Sequence, residues 1–225
     1  MAGVGRGGQA LGSGDVADAL SEVLALVPVS DGAKAELRGL LAGADRHYHG
    51  TAHVVLLWER HLAYAAGVVR EAPWHQWLAC AICYHDAIYD ASRKDNEARS
   101  AVMWQDARPA LPWEGIAWVT GTILATANHL AAGPEKGMGE AAWAARVWML
   151  DLDLTPLGEG PAVFDANTAA LRLEFGHLSD EQWVAGRGAF LRGISKTERL
   201  FRTPVLHAAF EGAARANFAR ELGVG

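Results

Sequence analysis

Apolar residues recur every three to four positions along most of the chain, which is the spacing of one face of an α-helix. Alternating β-branched and polar residues, the pattern of half-buried strands, are scarce, and segments rich in Ala, Leu, Glu and Arg dominate. Asp15 and Asp31 stand where helix starts prefer an acidic cap, and Pro28 ends the first segment. The pattern predicts an all-α chain, with helices over about 15–27, 31–44, 51–69, 73 through the pair at 85–86, 95–107, 113–130, 139–154, 161–178, 180–200 and from 204 onward.

The 225 residues contain no internal repeat and no linker, so we expect one helical domain over 15–225. Residues 1–14 are rich in glycine, and we expect them to form a flexible tail. This tail lacks the unbroken apolar run of a signal peptide, and no later run reaches membrane-spanning length without a charge or a histidine. The sequence therefore predicts a soluble cytoplasmic protein with no membrane partner.

The balance of charges narrows the class of partner. A net charge of −6 and an isoelectric point of about 5.8 argue against a protein that grips a nucleic-acid polymer, because that function needs a basic face. A small phosphorylated ligand stays compatible, since a few local cations or one metal ion would balance it. Apolar helical surface rich in alanine and tryptophan could also pack into a homodimer.

The two cysteines, Cys80 and Cys83, form the string CAIC inside a predicted helix. This spacing is known from redox and zinc sites, but the sequence has no second CxxC to complete a four-cysteine zinc site. A single close pair also gives no disulfide framework, which fits a reducing compartment. We interpret both cysteines as small core residues.

Histidine and aspartate interrupt apolar helical segments at three places, and burying an ionised carboxylate without a partner costs several kcal/mol. Each residue taken singly is more often a hydrogen-bonded core histidine or a capping aspartate. Taken together, imidazole and carboxylate groups on separate helices could bind a divalent ion and leave positions open for water and substrate. The residues are His49 and His53, four apart on one helix face, the pair His85-Asp86, and Asp151 and Asp153.

The order His53, His85-Asp86, then an aspartate of DLD resembles the H…HD…D signature of the HD-domain superfamily, which comprises all-helical, metal-dependent phosphohydrolases. The resemblance covers about residues 15–205 and is closest to a group of small bacterial HD-superfamily proteins with poorly defined substrates. It implies an HD-domain-like helical bundle that hydrolyses a small phosphoester or phosphoanhydride, with a nucleotide as the first candidate. The longer strings that carry it are RHYHGTAHV (46–54), YHDAIYD (84–90), DNEARSA (95–101), ILATANH (123–129) and DLDLTPLG (151–158).

The resemblance also implies a metal site. HD proteins with two metals usually have two histidines between the HD pair and the last aspartate, and here only His129 stands in that interval. One divalent ion is therefore implied, which could be Mn, Fe, Zn, Ni or Mg. The implied ligands are His53, His85, Asp86 and Asp153, with Asp151 as the competing register for the last of them.

The remaining roles follow from the same resemblance. The HD enzymes that cut guanosine polyphosphates carry a Glu-Asp pair where this chain has Tyr89 and Asp90. The missing glutamate makes that substrate doubtful and moves the general-base role to Asp90 or Glu97. The residues implied to bind the substrate are Arg46, His49, Arg99 and His129. The resemblance implies a role in catalysis for Arg46 as well.

Two other functions stay open at this point. The chain could be a degenerate HD domain that binds a metal or a nucleotide without turnover. It could also be a metal-dependent oxygenase, which would need further histidine ligands near a second metal.

Overall fold

The structure, a computed structural model, describes residues 13–224. Within this range the chain forms ten α-helices, three short 3₁₀ turns and no strand, which confirms the predicted all-α class. The 3₁₀ turns are Gly67–Arg70, Thr126–Asn128 and Thr155–Gly158. The helices are α1 (Ser13–Ala25), α2 (Asp31–Leu41), α3 (Thr51–Tyr64), α4 (Trp74–Tyr84), α5 (Asn96–Asp106), α6 (Trp113–Ala125), α7 (Glu140–Leu154), α8 (Pro161–Glu174), α9 (Asp180–Ser195) and α10 (Pro204–Leu222).

The start of the chain differs slightly from the sequence-based expectation. Residues 1–12 of the expected tail lie outside the described residues, whereas positions 13 and 14 already belong to α1. At the next helix, Ser30 is the cap, because its Oγ accepts the backbone N–H of Ala33 at 3.2 Å. Asp31, the predicted cap, is the first helical residue instead, where its charge favours the positive end of the helix.

Several predicted helices end earlier than their apolar pattern suggests, and the end of α4 lies at the site. Helix α3 ends at Tyr64 rather than near 69, and Gly67 then adopts a left-handed conformation with φ +60°. Helix α4 ends at Tyr84, so His85 and Asp86 lie in the turn that follows and not in the helix. The carbonyls of Asp86 and Ala87 accept hydrogen bonds from Arg46 there, which replaces the bonds that a longer helix would have made.

Helix α4 lies at the centre of a cluster of buried apolar side chains that extends from Leu20 in α1 to Phe218 in α10. Every residue of α4 from Leu78 to Tyr84 is fully buried. Cys80 and Cys83 belong to this stretch as free thiols, which confirms their interpretation as core residues. Burial raises the pKa of Cys80 to about 12, so its thiol stays protonated and unreactive at neutral pH.

No helix within residues 13–224 combines the length and the hydropathy that crossing a membrane would require.

Candidate metal centre

Three of the predicted ligands meet at one point of the structure. Helix α3 contributes His53, the turn after α4 contributes His85, and the last turn of α7 contributes Asp153. The Nε2 of His53 lies 2.9 Å from Asp153 Oδ1 and 3.4 Å from His85 Nε2. One ligand atom from each residue lies within 4.8 Å of the other two. This buried group of His53, His85 and Asp153, called the metal group below, could hold a metal ion.

Asp86 lies directly beside the metal group. Its Oδ2 is 2.9 Å from His85 Nε2 and 3.8 Å from His53 Nε2, and its side chain is 13% exposed. On a continuous helix, two consecutive side chains would point about 100° apart. The side chains of His85 and Asp86 nevertheless converge here, at the point where α4 ends.

The carboxylates of Asp86 and Asp153 are stabilised by positive charge beside them. Burial lowers the pKa of His85, but the carboxylates of Asp86 and Asp153 outweigh this effect, and the pKa lies well above its usual value. Burial works in the opposite direction on Asp86 and Asp153, yet the neighbouring histidines hold the pKa of each carboxyl below its usual range. A proton on His85 balances the two carboxylates here, and a divalent ion would supply the same kind of charge.

Two of the three members of the metal group, His85 and Asp153, have the hydrogen-bond partners expected of metal ligands. The Nδ1–H of His85 donates to the carbonyl of Ile82 at 3.0 Å, which leaves Nε2 as the nitrogen available to a metal. The Nε2 of His129 lies 2.7 Å from Asp153 Oδ2 and orients that carboxylate. His53 differs, since its Nδ1 is buried without a hydrogen-bond partner in the described part of the chain. The donor set of two imidazoles and two carboxylates matches a borderline to hard divalent ion.

The position of His129 changes its predicted role. It follows the 3₁₀ turn Thr126–Asn128 rather than closing a long helix 113–130, because α6 already ends at Ala125. Its Nε2 is engaged with the carboxylate of Asp153. His129 therefore supports a ligand, where the resemblance had implied a contact to substrate.

Asp151 points away from the metal group. Its Oδ2 accepts the backbone N–H of Thr203 at 2.6 Å and the hydroxyl of the same residue at 2.8 Å, at the start of α10. Its Oδ1 lies 3.6 Å from Nε of Arg202, which also donates to the carbonyl of His129. Residues two apart on a helix point to nearly opposite sides, so only one aspartate of DLD can face the histidines. The structure places Asp153 there, and Asp151 as ligand is wrong.

Arg46 stabilises the turn that carries the HD pair. One of its terminal nitrogens donates to the carbonyls of His49 at 2.8 Å and Asp86 at 2.7 Å, and the other donates to the carbonyl of Ala87 at 2.8 Å. These backbone contacts use three of the five N–H donors of the guanidinium group. Arg46 thus positions the turn in this structure, and its roles in catalysis and substrate binding stay predictions from the resemblance.

His49 lies next to the metal group, as its four-residue spacing from His53 suggests. Its ring centroid is 5.9 Å from that of His53, and the ring stacks on Tyr89 at 4.1 Å. The Nδ1–H of His49 donates to Glu174 Oε2 at 2.6 Å. Sequence reasoning missed Glu174, because a single glutamate at the end of the amphipathic helix α8 looks like any solvated residue.

The other predicted residues are not part of this arrangement. Asp90 is exposed, and its Oδ1 accepts the backbone N–H of Ser92 at 2.9 Å and the hydroxyl at 2.6 Å. Since α4 ends at Tyr84, no helix aligns Asp90 with Asp86, and Asp90 does not belong to the metal group. Glu97 is half-buried and acts electrostatically on Tyr89. Arg99 is exposed and lines a groove with Val102.

Comparison of the chain with protein-family models, with curated proteins and with solved structures found no match. The resemblance to the HD-domain superfamily therefore stays an expectation from the sequence. The metal group and its surroundings are the basis on which a function can be inferred.

Proposed function

We propose that this protein is a metal-dependent phosphohydrolase that acts on a small phosphoester or phosphoanhydride, with a nucleotide as the first candidate. The observation that carries the proposal is the convergence of His53, His85 and Asp153 from three separate parts of the chain, with Asp86 beside them. The carboxylates of Asp86 and Asp153 are 13% and 12% exposed, so solvent reaches the edge of an otherwise buried group. Phosphoryl transfer needs positioning and positive charge more than covalent chemistry from the protein.

The residues present fit one divalent ion. His53, His85 and Asp153 would hold it, and Asp86 would complete the ligand set. A bound divalent ion lowers the pKa of coordinated water by several units and neutralises charge on a phosphoryl group. The protein's part is to fix its own ligands: the Ile82 carbonyl holds His85 in one tautomer, and His129 holds the carboxylate of Asp153.

Asp86 is the carboxylate best placed to hold the attacking water. Its Oδ2 faces His85, while its other oxygen has no hydrogen-bond partner within residues 13–224. In hydrolysis the water oxygen bonds to phosphorus, the bond from phosphorus to the leaving oxygen breaks, and the water gives up a proton. A carboxylate at the site can accept that proton or the hydrogen bond that precedes its transfer. This assigns to Asp86 the role that the sequence had given to Asp90 or Glu97.

The test combines metal analysis with a screen of nucleotides and phosphoesters, each assayed with Mn, Fe, Zn, Ni and Mg. We expect about one equivalent of bound metal and a turnover that His85→Ala reduces by about 100-fold or more. Asp90→Asn is the matched control, because it neutralises an exposed carboxylate close in sequence to Asp86 and should leave both metal and turnover unchanged. Bound metal without turnover on the whole panel would contradict the proposal and favour a binding module. Two irons with oxygen consumption would favour an oxygenase.

A further inference from the structure

The direction in which Asp153 faces depends on His129. Oδ1 of Asp153 lies 2.9 Å from His53 Nε2, while Oδ2 accepts the Nε2–H of His129 at 2.7 Å. Because the two oxygens are rigidly joined, the contact at Oδ2 sets the direction of Oδ1 towards the histidines of the metal group. Within residues 13–224 the ring of His129 makes no other hydrogen bond. Its position therefore depends on the backbone of residues 129–132, called the His129 segment below.

Arg202 holds this backbone through two of its carbonyls. Nη2 of Arg202 donates to the carbonyl of His129 at 3.0 Å, and Nη1 donates to the carbonyl of Ala132 at 3.2 Å. Positions 133–137, which follow directly, are exposed. Leu130 packs against the apolar core as well, but an apolar contact has no preferred direction, whereas two hydrogen bonds fix the direction of the carbonyls.

The guanidinium of Arg202 is itself anchored on α7, the helix that carries Asp153. It lies over the ring of Trp143 at 5.6 Å, and its Nε is 3.6 Å from Oδ1 of Asp151. The carboxylate of Asp151 is fully buried, so its charge needs a neighbouring cation, which Arg202 supplies. The series of contacts thus starts on α7 and returns through His129 to the same helix at Asp153.

Resting on the metal centre of the function proposed above, we infer that Arg202 is a positioning residue, which fixes the His129 segment so that His129 keeps Asp153 facing the other ligands. The two carbonyl contacts carry this role. They do not require the charge of Asp151, which remains a stabilising partner of Arg202. The segment before α10 thereby becomes part of the support of the metal centre, although it contributes no ligand.

A purely structural role for Arg202 would be to neutralise Asp151, and Arg202→Lys separates the two roles. The lysine keeps a positive charge beside Asp151. Its single nitrogen falls where Cζ of the arginine stands, so it lies farther from both carbonyls than the two terminal nitrogens of arginine do. The variant thus keeps the charge and removes the hold on the His129 segment.

The experiment is a titration of the purified chain with Co²⁺, because the visible absorption of bound Co²⁺ reports its affinity and the arrangement of its ligands. We expect Arg202→Lys to weaken Co²⁺ binding by about tenfold, since it removes a residue that orients a metal ligand. His129→Ala should weaken binding at least as much and should shift the absorption bands in the same direction. The double variant should bind Co²⁺ no more weakly than His129→Ala alone, because Arg202 acts through His129.

Thr203→Val is the matched control. It changes the neighbour of Arg202 and removes the hydroxyl that donates to Oδ2 of Asp151 at 2.8 Å, but it leaves both carbonyl contacts of Arg202 in place. Urea unfolding of the metal-free proteins measures the loss of stability in each variant. Thr203→Val should be less stable than the wild type and should bind Co²⁺ with unchanged affinity, so a loss of stability alone does not weaken the metal site.

The outcomes separate this inference from the proposed function, because metal binding is measured without turnover. If the wild type hydrolyses a substrate of the panel but Arg202→Lys binds Co²⁺ as tightly as the wild type, the inference is overturned and the phosphohydrolase stands. If no substrate is turned over but Co²⁺ affinity falls as expected, the phosphohydrolase fails and Arg202 stands as a positioning residue of a metal site. Additive losses in the double variant overturn the inference, as does an equal loss in Thr203→Val or a wild type that does not bind Co²⁺.

Discussion

Acidification from pH 7 to pH 5 should destabilise the fold through His61, a fully buried histidine on α3. The indole N–H of Trp148 on α7 donates to Nδ1 of His61 at 3.0 Å, and Nε2 lies 2.9 Å from Nδ1 of His75. Because an indole N–H can only donate, Nδ1 must stay unprotonated, and the ring is neutral with its hydrogen on Nε2. Burial, followed by the nearby His75 and Arg70, lowers the pKa of His61 to about 3.

The magnitude follows from the difference between the folded and unfolded pKa of His61. The unfolded value is 6.5 and the folded value about 3, so between them the unfolded state binds more protons and stability falls as pH falls. At pH 7 almost no stability has been lost, and by pH 5 the loss reaches about 2 kcal/mol at 1.36 kcal/mol per pKa unit. The figure depends little on the folded value, because the native ring is neutral at pH 5 in any case.

The assay is urea unfolding at pH 7, 6 and 5 for the wild type and for His61→Gln, which cannot titrate. The variant should be less stable at pH 7 but should lose about 2 kcal/mol less than the wild type by pH 5. His47→Gln, at an exposed position, serves as the control and should follow the wild type. A constant difference between wild type and His61→Gln across this range would refute the reasoning.

Three further predictions concern the site and the core. Asp153→Asn should abolish metal binding in a titration, whereas Asp151→Asn should keep metal binding. Asp151→Asn should instead lower the free energy of unfolding by about 1–2 kcal/mol, because the hydrogen bonds of Asp151 stabilise the start of α10. Equal loss of metal in both variants would contradict the geometry. Arg46→Ala should lower metal affinity by about 10–100-fold, because the turn that carries the HD pair loses its two carbonyl contacts to Arg46. An unchanged metal titration would show that the turn keeps its geometry without Arg46. Cys80 and Cys83 should resist a thiol reagent in the native protein and react in urea, and native labelling at a free-thiol rate would show that they are accessible.

The local pattern of the sequence was sufficient to predict the helices and the three segments that supply the residues of the metal group. Helical periodicity is a property of residues three and four apart, so it can be read without knowing the fold. Cys80 and Cys83 were correctly interpreted as core residues, and both lie in the buried stretch of α4. His53 and His85 could be singled out because a polar group inside an apolar segment needs a partner.

Contacts between distant residues decided the rest. Helix α4 ends at Tyr84 although its apolar pattern continues, and Arg46, 40 residues earlier, binds the carbonyl of Asp86 in the turn that follows. His85 and Asp86 come together at this end, and Asp90 lies in solvent, where a longer helix would have aligned it with Asp86.

The sequence by itself thus determined the all-α class, the buried character of α4 and the residue types that could bind a metal. Only the tertiary structure decided that Asp153 faces the histidines while Asp151 binds the start of α10, and that Glu174 joins His49 across 125 residues. The physical reason is that helix formation depends on neighbours within one turn. A buried polar group, by contrast, pairs with whichever distant donor or acceptor lies within about 3 Å of it once the helices have packed.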